Sequence, residues 1–292
     1  MNSCPDSSGC HAGGMERRFE QLDVFATTAL SGNPLAVVID GEGLSTDEMQ
    51  LFANWTNLSE TTFLLPPTDP AADYRVRIFT ATVELPFAGH PTLGSCQAWL
   101  DHGGEPADAH VIVQECDVGL VRIRRAEGSL AFAAPELIRS GPVDDDLRAR
   151  LERTIGATVL DAAWADNGPG WVVAELESAE AVLALEPDFS DALDLKIGVV
   201  GRTTDPAAAG HDVEVRAFFP GPSSMHEDPV TGSLNASVAQ WLMGRDPTLT
   251  SYVARQGTVL GRAGRVELDR DNDGTIWVGG RVAQILLGTA DL

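Results

Sequence analysis

The sequence has no apolar stretch that would cross a membrane. Its longest uninterrupted apolar runs, such as residues 35–39, contain five residues, whereas a membrane-spanning helix needs about 20. The first 14 residues also lack the apolar segment of a secretory signal. These absences predict a cytoplasmic protein without a membrane partner.

Basic residues are scarce. The chain has 20 Lys and Arg residues against 43 Asp and Glu residues, which gives a net charge of −23. Such a surface repels phosphate backbones and anionic lipids, so nucleic acid is excluded as the main partner. With 292 residues, of which 43% are hydrophobic, the chain has the material for a sizeable core. Disorder of the chain as a whole is therefore excluded.

Cysteine is also scarce, and the four cysteines have no spacing typical of a disulfide framework. A reducing compartment fits this usage. Cys4, Cys10 and His11 lie close together, but a terminus rich in Ser, Gly and Pro is typically frayed. We therefore predict a disordered tail over residues 1–15 and no metal site within it.

Several catalytic motifs are missing. The sequence contains no Walker A loop, no HExxH, no GxSxG and no strand-linked GxGxxG. Phosphoryl transfer, zinc proteolysis, serine hydrolysis and dinucleotide binding therefore lack their minimal apparatus, and no cofactor is expected. An aspartate-rich segment at 269–274 resembles the opening of an EF-hand loop, but its twelfth position is Gly280 where a Glu is required. We predict a hairpin turn there instead, between strands at 266–268 and 276–278.

The sequence contains a weak internal repeat, which predicts two related halves. Three segments recur in the same order and at a nearly constant spacing: TDPAA at 68–72 and 204–208, NPLAVV and GPGWVV at 33–38 and 168–173, and QAWL and AQWL at 97–100 and 239–242. We therefore divide the chain into an N-terminal half, 16–135, and a C-terminal half, 136–292. The last strand is a candidate to cross back to the first half.

Two peripheral helices are predicted from their end signals. Ser45 and Glu48 have capping-box spacing and begin an amphipathic helix. The acidic run 144–146 suits the N-terminus of another helix, which is expected to stop at Gly156. This acidic run is therefore interpreted as a helix cap and not as a metal site.

Two further helices, Pro91–Leu100 and Pro229–Met243, are small or apolar on every face. A helix of this kind is buried on all sides, and in a strand-rich half the sheet must wrap around it. His90 and Asp228 each precede a proline, which predicts that they cap these two helices.

The N-termini of these two buried helices form the candidate site. Their free N–H groups and partial positive charge suit a carboxylate ligand, if both face one cleft. Gly89 lets the backbone approach a ligand, and His90 is able to donate a hydrogen bond or move a proton near neutral pH. Gly232 and Ser233 occupy the first turn of the second helix. The residues alone leave open whether His90 and Asp228 contact a ligand or only cap their helices.

Four segments carry a resemblance to a known family. They are SGNPLAVV (31–38), NLSETTFLLP (57–66), ELPFAGHPTLG (84–94) and EDPVTGS (227–233). In this order they resemble the PhzF family of phenazine-biosynthesis-like proteins, over a region that begins at about Phe19. The resemblance implies an α+β fold of two pseudo-symmetric halves, each an antiparallel β-barrel wrapped around a central α-helix, as in diaminopimelate epimerase.

The resemblance also implies an activity. It is that of a cofactor-free isomerase that moves a proton and a double bond within a small carboxylate-bearing, anionic metabolite, similar to trans-2,3-dihydro-3-hydroxyanthranilate isomerase. Glu60 would be the general acid/base, and the apolar residues 63–65 that follow it favour a raised pKa. The residues implied to bind substrate or position the proton are Gly89, His90, Asp228, Gly232 and Ser233. A homodimer is implied as well.

Two alternatives stay open. One is an epimerase or racemase on the same fold, but racemases of this fold are similar in holding two cysteines across the cleft, and the matching positions here are Gly89 and Asp228. The other is a ligand-binding protein without turnover, against which the retained Glu60 counts. TATV at 80–83 and the Ala263-Gly264 pair depart from the family pattern, so the substrate is not predicted.

Overall fold

The structure is a computed structural model that describes residues 14–126, 128–221 and 224–292. These residues form six α-helices and one continuous sheet of 18 strands. The strands are β1 (Glu16–Val24), β2 (Asn33–Val38), β3 (Glu60–Leu65), β4 (Tyr74–Phe79), β5 (Glu84–Leu85), β6 (Val111–Cys116), β7 (Gly119–Ala126), β8 (Ser129–Ala133), β9 (Arg139–Pro142), β10 (Asp161–Asp166), β11 (Trp171–Leu176), β12 (Lys196–Arg202), β13 (Val213–Pro220), β14 (Met225–Asp228), β15 (Ser251–Gln256), β16 (Gly264–Arg270), β17 (Ile276–Gly280) and β18 (Val282–Asp291). The helices are α1 (Thr46–Thr56), α2 (Gly89–Asp101), α3 (Asp145–Ile155), α4 (Ala179–Leu183), α5 (Pro206–Ala209) and α6 (Gly232–Arg245).

The two halves repeat one pattern of strand pairing. In the first half β1 to β4 are neighbours, β2 is parallel to β3, and β4 pairs in parallel with β6. In the second half β10 to β13 are neighbours, β11 is parallel to β12, and β13 pairs in parallel with β15. The remaining pairs among the described strands are antiparallel. The predicted α+β fold with two pseudo-symmetric halves is confirmed, with two parallel pairs within each largely antiparallel half.

The recurring sequence segments occupy equivalent elements of the two halves. NPLAVV forms β2, and its counterpart leads into β11. The first TDPAA copy precedes β4 and the second precedes β13, which are equivalent strands of the two halves. QAWL and AQWL lie within α2 and α6. The internal repeat is therefore a repeat of structure.

Helices α2 and α6 lie at the centres of the halves. α2 contacts β1, β2, β3, β4, β6, β8 and β18, and α6 contacts β10, β11, β16 and β17. Nine of the 13 residues of α2 and nine of the 14 residues of α6 are buried. Leu93 of α2 and Leu234 of α6 belong to one hydrophobic core that extends through both halves. The prediction that sheets wrap around these two apolar helices is confirmed.

The predicted N-cap of α2 is wrong. The helix begins at Gly89 with Ala88 as its N-cap, so His90 and Pro91 lie inside its first turn. Proline is tolerated there because the first N–H groups of a helix have no partner within it.

The predicted N-cap of α6 is wrong as well. The helix begins at Gly232 with Thr231 as its N-cap, whereas Asp228 is the last residue of β14. Pro229 lies in the short connection between strand and helix. The Asp228 side chain accepts from the Thr231 hydroxyl at 2.5 Å, so it supports the cap residue without being the cap.

Two strand pairs connect the halves. The last strand, β18, pairs antiparallel with β1 along its whole length, and β8 pairs antiparallel with β17. Each half therefore contributes strands that complete the hydrogen bonding of the other. The division of the chain between residues 135 and 136 stays a prediction.

The peripheral elements follow their local signals. Both hydrogen bonds of the capping box between Ser45 and Glu48 are present at the start of α1. The Asp144 side chain caps α3, which ends at Gly156 in the left-handed conformation. Strands β16 and β17 form the hairpin predicted in place of a calcium loop.

The predicted tail of residues 1–15 lies, up to residue 13, outside the described residues. Met15, which the sequence assigned to the tail, exchanges backbone hydrogen bonds with Leu292. None of the helices seen here combines the length and apolar character needed to traverse a lipid bilayer.

Candidate active site

The N-termini of α2 and α6 meet at Gly89 and Gly232. A Cβ atom on Gly232 would lie 3.0 Å from the Cα of Gly89 and 3.1 Å from the backbone N of His90. A Cβ on Gly89 would lie 2.7 Å from the Phe132 ring. Packing between the helices therefore requires both glycines, which extends the predicted role of Gly89 in approaching a ligand. The contact brings two sets of free N–H groups together.

Glu60 is the first residue of β3, and its side chain is 15% exposed. Burial and, secondarily, the charge of Asp228 raise the pKa of Glu60 to about 8. A carboxyl group with this pKa both holds and releases a proton near neutral pH, as general acid/base chemistry requires.

His90 lies next to Glu60, with Nε2 of the ring 3.4 Å from Oε2 of the carboxyl group. Burial lowers the pKa of His90 to about 3, so the ring is neutral at physiological pH. Neither of these two atoms forms a hydrogen bond within the part of the chain that the structure describes. Buried polar atoms without a hydrogen-bond partner require an explanation, and a polar ligand group that binds between them is one that fits their place beside the helix N-termini.

Asp228 is the second carboxyl group of the site. Its Oδ1 accepts from the Asn33 amide at 3.2 Å and its Oδ2 from the Thr231 hydroxyl. Burial raises the pKa of Asp228 to about 6, although these two hydrogen bonds oppose the rise. Two neighbouring carboxyl groups with separated pKa values divide the roles of acid and charged partner.

Two buried amide side chains, Asn33 and Gln256, were missed by sequence reasoning. Asn33 Nδ2 also donates to the Val230 carbonyl at 2.9 Å. Gln256 Oε1 accepts from the Thr231 N–H, and Gln256 Nε2 donates to the Asp228 carbonyl, each at 3.0 Å. Asn33 lies in SGNPLAVV, one of the four segments that resemble the family, whereas Gln256 lies outside those segments. An uncharged amide gives no signal of what it contacts.

Ser233 lies in the first turn of α6 and is partly buried. The Trp171 indole Nε1–H donates to Ser233 Oγ at 3.1 Å, and the Asn167 amide donates to the Ser233 carbonyl at 3.0 Å. An indole only donates, so Ser233 Oγ must be the acceptor and its own hydrogen stays free for a ligand. In the sequence analysis, Trp171 occurs only in the repeated segment GPGWVV and has no part in the site.

The predicted site residues thus lie in one region. Glu60 and His90 face each other, and the Asn33 amide contacts both His90 and Asp228. Ser233 directly follows Gly232, the residue of α6 that contacts Gly89. Across residues 14–126, 128–221 and 224–292, no cluster of three or more His, Cys, Asp or Glu side chains is arranged to hold a metal ion. The arrangement suits proton transfer on an anionic ligand.

The fold and the site together define the class of protein: two pseudo-symmetric halves of the diaminopimelate epimerase type, with carboxyl groups and helix N-termini where the halves meet. Within that class, the chain belongs to the phenazine biosynthesis-like (PhzC-PhzF) family, whose model matches residues 22–286.

Individual relatives agree with this membership. The chain is 34% identical to antisense-enhancing sequence 1 of Schizosaccharomyces pombe, over 94% of this chain and 98% of that protein. It is 33% identical to a trans-2,3-dihydro-3-hydroxyanthranilate isomerase of Pseudomonas aeruginosa, over 85% of this chain and 88% of the relative. The crystal structure of a phenazine biosynthesis protein of the PhzF family from Enterococcus faecalis superposes with a TM-score of 0.78 at 25% identity, covering 95% of this chain and all of that one.

Proposed function

We propose that this protein is an isomerase that moves a proton, and with it a double bond, within a small carboxylate-bearing metabolite, without a cofactor. The observation that carries the proposal is the buried pair of Glu60 and His90, whose facing polar atoms have no hydrogen bonds of their own in the described residues. The name of the Pseudomonas aeruginosa relative supports this class of reaction.

Glu60 is the carrier of the migrating proton. Its carboxylate takes a proton from an activated carbon of the substrate, and the electrons of the broken C–H bond form a new double bond. The electrons of the old double bond then take the proton from Glu60 at a second carbon. Glu60 returns to its starting state, so the reaction needs no co-reactant. A pKa near 8 keeps both forms of Glu60 within reach at neutral pH.

The substrate carboxylate binds beside the contact between the two helix N-termini. The free N–H groups of the first turns and the helix dipoles attract a negative group there, although the protein as a whole carries −23. The free hydrogen of the Ser233 hydroxyl adds a further donor at this end of α6. The substrate is therefore a small anion.

The experiment measures the incorporation of deuterium from heavy water into the substrate. Wild type and Glu60→Gln are incubated in heavy water with trans-2,3-dihydro-3-hydroxyanthranilate and, separately, with a cell metabolite extract. Metabolites that gain deuterium only with wild type are the substrates, and the rate should fall by at least ~10² in the variant, as is typical for loss of a general acid/base. Glu267→Gln is the control, because Glu267 is half-exposed and pairs with Arg265 away from the site. Equal exchange by wild type and Glu60→Gln would refute the role of Glu60.

An epimerase is the second candidate, because two carboxyl groups, Glu60 and Asp228, interact electrostatically in the site. A two-thiol racemase is disfavoured: Cys96 is buried within α2, and burial raises the pKa of its thiol to about 12. Replacing all four cysteines by Ser or Ala should leave turnover within a few-fold of wild type. Loss of activity after thiol blocking, with activity retained in Glu60→Gln, would favour thiol-based epimerisation.

The proposal includes the oligomeric state and the cellular location of the enzyme. Homodimers are implied by the family resemblance, and light scattering on the purified protein measures the oligomeric state directly.

A cytoplasmic location fits Cys96 and Cys116, which are free, buried thiols. A fluorescent fusion expressed in the native host tests the location.

A further inference from the structure

We infer that Asn33 is a positioning residue that fixes the proton of the neutral His90 ring on Nε2, the nitrogen that faces Glu60. The inference about the ring proton stands on the contacts of Asn33 alone. Its meaning for catalysis rests on the function proposed above. The two are tested by different measurements.

The orientation of the Asn33 amide is determined by its acceptors. Asn33 is fully buried at the start of β2, and its Nδ2 lies 2.9 Å from the Val230 carbonyl and 3.2 Å from Asp228 Oδ1. A carbonyl and an ionised carboxylate only accept hydrogen bonds, so the NH₂ group and not the amide oxygen must face them. Oδ1 of Asn33 correspondingly has no partner in the described chain segments.

The same NH₂ group determines which ring nitrogen of His90 carries the proton. Nδ1 of His90 lies 3.5 Å from Asn33 Nδ2. One amide hydrogen serves Val230, and the other lies between Asp228 and His90. A proton on Nδ1 would oppose this N–H group, whereas a lone pair on Nδ1 attracts it. Because a neutral imidazole carries one proton, that proton belongs on Nε2.

Nε2, which then carries the proton, is the ring nitrogen that lies near the carboxyl group of Glu60. The distance of 3.4 Å from Nε2 to Oε2 is long for a hydrogen bond, and such contacts in catalytic sites often tighten only when substrate is present. The Nε2–H group stabilises the carboxylate form of Glu60, the form that takes a proton from the substrate. With the opposite tautomer, the lone pair of Nε2 would face the Glu60 carboxylate when Glu60 is ionised, and would accept from the carboxyl group when Glu60 is protonated.

Asn33 also joins the two halves of the molecule at this point. It lies in the first half with His90 and Glu60, and its acceptors Asp228 and Val230 lie in the second half. One buried amide therefore holds the charged partner in place and sets the ring of the neighbouring histidine. This double role explains why a fully buried polar residue is present where an apolar one would pack at lower cost.

The experiment determines by NMR which ring nitrogen of His90 carries the proton. The full-length protein is labelled with ¹⁵N-histidine, and the His90 ring signals are assigned by their loss in His90→Gln. Wild type should show an unprotonated Nδ1 and a protonated Nε2 between pH 6 and pH 9. In Asn33→Asp the new carboxyl group must share a proton with Asp228, so Nδ1 loses its NH₂ donor and the Nδ1-protonated tautomer should gain population. Asn33→Leu, which adds no charge, should give a mixture of tautomers and is used if Asn33→Asp fails to fold.

Asn235→Ala is the matched control. Asn235 is also fully buried, but its amide donates to the Thr231 carbonyl and to Gln256 and does not contact His90. Its His90 signals should match wild type. A protonated Nδ1 in wild type, or His90 signals that are unchanged in the Asn33 variant that folds, would overturn the inference. If wild type shows the expected tautomer but exchanges no deuterium into any metabolite, the proposed function fails and the role of Asn33 stands.

Discussion

At the scale of single residues, the raised pKa of Glu60 links the catalytic role that we propose for it to the stability of the fold. Folding moves the pKa of this carboxyl group from its usual range near 4.3 up to about 8. The folded protein therefore binds more protons than the unfolded chain between these pH values, and the contribution of Glu60 to stability falls as pH rises through this window. Below it, both states are protonated and Glu60 contributes no pH dependence.

Glu60→Gln should consequently stabilise the protein at pH 8 and leave its stability nearly unchanged at pH 4, relative to wild type. The expected gain in the free energy of unfolding at pH 8 is on the order of 1 kcal/mol or more, because each unit of pKa shift corresponds to ~1.4 kcal/mol. Urea unfolding at the two pH values measures it. A variant that is less stable than wild type at pH 8 would show that Glu60 is stabilised as a carboxylate.

Glu48→Gln provides a control of opposite sign. The hydrogen bonds from Ser45 lower the pKa of Glu48, so its contribution to stability is present above the unfolded pKa and is lost as pH falls through the folded one. This variant should be slightly less stable than wild type at pH 8 and equal to it at low pH. The same urea series records both variants.

The indole of Trp171 should influence substrate binding through Ser233. Trp171→Phe keeps an aromatic ring but removes the N–H donor, so the Ser233 hydroxyl is free to rotate away from the ligand. Losing one such hydrogen bond costs about 1 kcal/mol, so KM should rise roughly fivefold with little change in kcat. Trp164→Phe is the control, since Trp164 packs under Arg139 and not against Ser233. Equal KM values in both variants would remove Trp171 from the site.

Apart from the two glycines, sequence reasoning singled out only those residues of the candidate site whose side chains have recognisable acid, base or hydrogen-bonding chemistry of their own. Strongly patterned segments contain Glu60, His90, Asp228 and Ser233, which the structure brings into one region. Their roles stay predictions. The contribution of Asn33 comes entirely from contacts with residues that lie far away along the chain. Sequence spacing does not report such contacts, because they depend on how the halves dock.

At the scale of elements, the contact between α2 and α6 depends on the absence of a side chain. Gly232→Ala would place a methyl group 3.0 Å from the Cα of Gly89, which is backbone and has little freedom to move. Overpacking of this kind costs typically ~1–3 kcal/mol. The free energy of unfolding should fall by this amount, and turnover should fall at least tenfold because the helix N-termini separate.

Gly244→Ala is the matched control on the same helix. Gly244 is exposed, and a Cβ there meets open space. Replacing a helical glycine by alanine usually stabilises by ~0.5–1 kcal/mol. Thermal unfolding of the two variants should therefore move in opposite directions. Two shifts of the same sign would show that the glycine contact does not determine where the helices sit.

Element types were predicted better than element boundaries. Burial on every face identified α2 and α6, because that pattern depends on composition along the whole helix. Their first residues were mispredicted because the rule that places proline at the first helical position ignores tertiary contacts. Helix α6 begins at Gly232, where the chain can pack against α2, and not at Pro229.

At the scale of the whole molecule, the halves should not fold separately. A fragment of residues 16–135 lacks β18 and β17, the partners of β1 and β8. Its open sheet edges and exposed apolar core should prevent cooperative unfolding, as measured by circular dichroism during heating. Mixing it with the 136–292 fragment should restore a cooperative transition. Cooperative unfolding of the 16–135 fragment alone would contradict this expectation.

The pairing of β1 with β18 also has a consequence for how the protein is made. The side chains of Glu20 and Gln284 form a hydrogen bond although they are 264 positions apart in the chain. A ribosome adds ~5–20 residues per second, so β1 emerges roughly 10–50 seconds before its partner strand exists. During that interval the first half has an open seam that a nascent chain of another copy, or a chaperone, is able to occupy. Residues translated 264 positions after Glu20 therefore complete the first barrel to emerge.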